Sequence, residues 1–117
     1  MYQRNAADAM TEVVRIAEQC ATWVECERPA EAVVQLREIV LRLARERAEF
    51  EHFLFSDADR LKDVLSRCQK LADLLSKEPF LFSTVVKGEQ IRESMLIVQE
   101  LCTVLGRVRA RVEQEGK

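Results

Sequence analysis

The sequence predicts an all-α protein, an antiparallel up-down four-helix bundle, and three observations carry that expectation. Apolar residues recur at alternating steps of three and four along most of the chain, the spacing of one helical face. Three Gly and two Pro among 117 residues are too few turn formers for a sandwich or barrel, which needs a turn about every ten residues. Hydrophobic residues make up 48% of the chain against 32% charged, a balance that suits a folded helical domain and not a disordered one. A chain of this length builds one core without metal or disulfide support, so residues 1–117 read as a single domain.

The first stripe is Ala6, Met10, Val13, Ala17, Cys20 and Val24, which predicts a helix over residues 5–26. Asn5 is placed to cap it and Asp8 to meet its free N–H groups. Pro29 fits the first turn of a second helix, where its missing N–H is not needed, so residues 27–29 form a corner. Val33, Leu36, Val40, Leu43, Phe50 and Leu54 make the second stripe, interrupted by Arg47. Leu61, Val64, Cys68, Leu71 and Leu75 make the third. The fourth is Ile91, Val98, Leu101, Leu105, Val108 and Val112, with Ser94 and Met95 sharing the missing step. Gly106 interrupts this last helix at a cost of about 1 kcal/mol relative to Ala, which predicts close packing against another helix.

One alternative architecture follows from the same pattern. The heptad phase runs unbroken from Val33 to Leu75, so a single central helix from about 30 to 77, roughly 70 Å long, would leave two flanking helices and require a dimer to cover it. Ser56-Asp57-Ala58-Asp59 reads instead as a helix start, with Ser56 as cap and two carboxylates complementing the dipole, and favours a break there.

The tetrapeptide Phe-Leu-Phe-Ser occurs at residues 53–56 and again at 80–83. The flanking sequences do not align, so the pair marks two helix ends and not a duplication. In an up-down bundle the two corners lie at opposite ends, Trp23 sharing one with Phe80 and Phe82, and Tyr2 the other with Phe53 and Phe55. The simplest role for these aromatics is to plug the ends of the bundle. The functional expectation is that Trp23, Phe80, Leu81, Phe82, Val85 and Val86 form an exposed pole that docks a protein partner.

Catalytic chemistry finds few handles. His52 is the only histidine, and no phosphate-binding or nucleophile-elbow motif occurs, so neither an enzyme nor a cofactor or metal site is expected. His52-Phe53-Leu54-Phe55-Ser56 resembles the H-x-L-K-G signature of histidine phosphotransfer domains at His52 and Leu54, with Phe55 and Ser56 where that family has Lys and Gly. The resemblance implies a four-helix bundle and, as an alternative function, a phosphorelay role for His52 aided by Arg45 or Arg60. Four cysteines at 20, 26, 68 and 102 lack zinc spacing and read as small apolar residues of a reducing compartment.

The formal net charge of −2 argues against nucleic-acid binding. Arg107, Arg109 and Arg111 form a possible anionic-surface patch for RNA or membrane, against the simpler role of stabilising a helix C-terminus. No apolar run spans a bilayer and no secretory leader is apparent, so the expected location is the cytoplasm. Ile16, Trp23, Leu41, Leu96, Ile97 and Val104 widen the stripes beyond a narrow core face. The favoured function is therefore a non-catalytic interaction module, an adaptor, assembly subunit or dedicated chaperone, that binds an amphipathic helix or forms a homo-oligomer.

Overall fold

The computed structural model describes the backbone of residues 6–77 and 84–115, and the side chains of residues 6–77 and 88–115. Helix α1 (Ala6–Glu25) is followed by α2 (Pro29–Arg45), a four-residue α3 (Arg47–Phe50), two 3-10 turns (Glu51–Phe53 and Phe55–Asp57), α4 (Ala58–Lys77) and α5 (Thr84–Glu115). Among the described residues there is no strand. The four long helices meet in the cyclic order α1, α2, α4, α5, each against two neighbours, with α1 on α5 and α2 on α4 the most extensive pairs. This is the predicted all-α up-down bundle.

Each helix forms where its stripe has a face to bury. Met10, Val13, Ala17, Cys20 and Val24 are buried on α1, and Leu36, Ile39 and Leu43 on α2. All five residues of the third stripe are buried on α4, as are Val98, Leu101, Leu105, Val108 and Val112 on α5. Ser94 is also buried, and its hydroxyl donates to the Gln90 carbonyl at 2.7 Å, so the polar group in the stripe is satisfied within its own helix. Of the residues that widen the stripes, Ile16 and Val104 join the core, while Leu41 and Leu96 stay exposed.

The α1–α2 corner is tight because α1 ends in a Schellman motif. The N–H of Arg28 donates to the Trp23 carbonyl at 2.9 Å and that of Glu27 to the Val24 carbonyl at 3.0 Å. Glu27 takes the left-handed position at φ 59°, a conformation usually given to Gly. Pro29 then opens α2, as its fixed φ predicts.

Residues 46–57 decide between the bundle and the rod. A straight continuation of α2 would carry Arg47 onto the core stripe. The helix unwinds instead at Glu46, Arg47 stays exposed and reaches Glu51 at 3.3 Å, and Phe50, Phe53 and Leu54 turn inward. The continuous helix from about 30 to 77 is therefore excluded. Ser56 lies exposed within the second 3-10 turn instead of opening α4, and Asp57 next to it is buried.

Within this chain no helix packs closely on Gly106, since a Cβ added there would meet nothing within 4 Å. Cys20, Cys26, Cys68 and Cys102 are all free thiols. Burial pushes Cys20 and Cys68 up to about 12, and the Cys20 thiol donates to the Ala32 carbonyl at 3.7 Å. No helix among the described residues is long and apolar enough to cross a membrane. With 32 residues at 1.5 Å per residue, α5 is about 48 Å long and spans nearly all of the molecule's 50 Å long axis.

Candidate functional site

Three surfaces deserve comparison: the corner around Asp57, the end near Trp23, and the face formed by α2 and α4. At the corner, Asp57 has a side chain only 5% exposed and accepts from two arginines of α5. Arg111 donates to Asp57 Oδ2 at 2.6 Å, Arg107 donates to Oδ1, and Arg111 also donates to the carbonyls of Phe53 and Leu54, both at 3.0 Å. Burial alone would raise the Asp57 pKa, but the hydrogen bonds and charges of Arg107 and Arg111 outweigh it and hold the carboxyl below its usual range. The carboxylate also stands directly before α4, where the helix dipole favours negative charge.

This cluster changes the standing of the C-terminal arginines. Arg107 and Arg111 are turned onto Asp57, and Arg109 points elsewhere and reaches Glu113 at 3.9 Å. The three arginines predicted as one patch for an anionic surface are thus divided between an internal clamp and a surface pair. Phe55 lies over the clamp with its ring 5.4 Å from the Arg111 guanidinium, 70% exposed and in the left-handed region at φ 48°. His52 is exposed and packs its ring on Phe53 at 4.1 Å between centroids.

At the other end, the α1–α2 corner lies beside Leu75 and Ser76 of α4, and the corner that carries Phe80 and Phe82 lies outside the described residues. Trp23 is half-buried against the core, with the Arg28 guanidinium 5.5 Å from its ring. Phe80, Leu81 and Phe82 lie outside the described residues. Val85 and Val86 fall in the first turn of α5, with side chains outside the description. Of the predicted docking pole, only Trp23 has a described environment.

The α2–α4 face carries an elongated concavity. Two hollows of about 610 and 340 Å³ share Val40, Ala44 and Gln69, which makes them one channel along the seam. Leu36 and Ala72 lie under its upper half, and Leu61 and Phe50 under its lower half. Leu41 stands on its edge at 60% exposure, and Val34, one heptad earlier on α2, is 64% exposed. A bridge from Arg37 to Asp73 at 3.6 Å crosses the upper end, while Lys62 borders the lower end. The sequence singled out Leu41 as surplus to the core but passed over Val34. The available signal was that both are large aliphatics on the otherwise charged face of α2 that carries Arg37, Glu38 and Arg45.

Among the described residues no group of three His, Cys, Asp or Glu side chains converges as a metal site would require. No family model matches this chain, and no curated protein or solved structure is significantly similar to it.

Proposed function

We propose that this protein is a non-catalytic interaction module that accepts an amphipathic helix in the groove between α2 and α4. The observation behind the proposal is that groove with the exposed Leu41 on its edge, and the exposed Val34 one heptad away on the same helix, spaced as a helix would present its own anchors. A bound helix would cover Leu41 and Val40 and meet polar rims formed by Arg37, Asp73 and Lys62, the usual division into apolar centre and polar edge. Such a module serves as an adaptor, an assembly subunit or a dedicated chaperone. Four free thiols are in keeping with action in the cytoplasm.

The test is site-specific photocrosslinking in intact cells with benzoylphenylalanine at position 41, beside the same group at Thr103, an exposed position on α5. The expected result is an adduct at 41 alone, mapped by mass spectrometry to an amphipathic helical segment, and lost on Val34→Asp with helical content unchanged. Equal adducts at both positions, or none at 41, would overturn the proposal.

A further inference from the structure

We infer that the helix accepted by the groove is α2 of a second copy of this chain, docked antiparallel; the inference rests on the helix-binding reading above. The outward face of α2 carries Ala30, Val34, Arg37, Glu38, Leu41 and Arg45, all at least partly exposed. A two-fold axis placed between residues 37 and 38 sets Val34 opposite Leu41 of the second copy and Leu41 opposite its Val34. It also sets Arg37 opposite Glu38 of the second copy, and the reverse, across the axis itself, beside the pairs each already makes within its own chain with Asp73 and Arg42. Arg45 falls opposite Ala30 and one position from Glu31 of the second copy. Its guanidinium makes no described ion pair or hydrogen bond within one chain.

The two central cross-pairs in this arrangement are therefore aliphatic with aliphatic and opposite in charge, and Arg45 meets only the small Ala30 with Glu31 beside it. The parallel arrangement fails on the same residues, because it sets Arg37 against Arg37 and Arg45 against Arg45, and like charges at an interface disfavour a pairing. Ala30 and Ala44, small and exposed on the same side, leave room for the helix axes to approach to the ordinary packing distance of about 8–10 Å. By symmetry each α2 packs along the α2 rim of the other chain's groove, at Arg37, Leu41 and Ala44, and an isologous contact of this kind closes at two copies. A contact centred on one 17-residue helix sits at the small end of specific interfaces, so the dimer forms reversibly, with dissociation on the order of micromolar.

Sedimentation equilibrium on the full chain from low micromolar to several hundred micromolar, in a Cys26→Ser background, measures the dimer directly. Leu41→Glu should raise the dissociation constant at least tenfold with the helical circular dichroism unchanged. Orientation is read by mild oxidation of variants that each add one cysteine to a chain in which Cys26 and Cys102 are replaced by Ser, leaving only the buried Cys20 and Cys68 besides. Glu38→Cys and Arg37→Cys, both beside the axis, should each form an interchain disulfide at least ten times faster than Thr103→Cys. Val34→Cys should couple to Leu41→Cys faster than to itself. A chain that stays monomeric throughout, or that couples fastest at Val34 with itself or at Thr103, overturns the inference. If it is monomeric while the photocrosslinker at position 41 still captures a helix of another protein, self-recognition fails and the groove reading stands.

Discussion

Replacing Asp57 with Asn tests whether the corner is held by charge. Asn keeps the shape and one acceptor, but it leaves Arg107 and Arg111 facing each other without their anion. Removing one member of a fully buried ion pair costs about 3–5 kcal/mol. Here the arginine side chains are 43% and 26% exposed, so water recovers part of that loss, and about 2 kcal/mol is the expected cost. Unfolding entropy near 2.1 cal/mol/K per residue over 117 residues is about 0.25 kcal/mol/K, so the midpoint should fall by about 8 °C. Thermal and urea unfolding of wild type, Asp57→Asn, Arg111→Gln and the double variant give both the single costs and the coupling. A coupling of about 1 kcal/mol or more is expected for groups in one network. Asp57→Asn within about 0.5 kcal/mol of wild type, the usual range of a surface change, would refute the assignment of a structural clamp.

The same carboxylate sets an acid dependence. Because its folded pKa is lowered, the unfolded chain binds the extra proton, so the Asp57 contribution is full above the unfolded value of about 3.9 and is lost as pH falls through the folded value. Urea midpoints measured downward from pH 5 should decline less steeply in Asp57→Asn than in wild type. Gly106→Ala should stabilise the chain by about 0.5–1 kcal/mol, since it restores helix propensity at a site with open space for the methyl group; a lower melting temperature would mean that this surface is covered. Titration with a thiol reagent under native conditions should show Cys26 reacting fast and Cys20 and Cys68 only as fast as the protein opens, with Cys102 between them. Two or more fast thiols would contradict the described burial.

The core was legible because helical periodicity and burial share one cause. A residue such as Val64 or Leu101 repeats at steps of three and four only because one face is dry, and both are fully buried. The α1–α2 corner was legible from Pro29 for the same local reason. The Asp57 clamp was not: its partners lie 50 and 54 residues away, and no local rule distinguishes an arginine that stabilises a helix end from one that reaches a distant carboxylate. Arg107 and Arg111 were visible as cations, while their target was not. The break at residue 46 carries neither Gly nor Pro, and the intact heptad phase hid it. Arg47 was the informative residue, since a charge in the core register marks a place where the helix has to turn. The proposed groove was only half legible, because Leu41 stood out beside the core stripe of α2 while Val34, next to Val33, did not.

The distance in sequence between Asp57 and Arg111 also has a consequence during synthesis. At roughly 5–20 residues per second, the 54 residues that separate them take about 3–10 s to be added. Throughout that interval α1, α2 and α4 exist without the helix that closes the ring, and Asp57 is solvated instead of clamped. Phe53, buried in the finished molecule, then lacks the α5 side of its enclosure, and the Leu54 carbonyl lacks its Arg111 donor. The nascent chain is thus most adhesive just before α5 arrives.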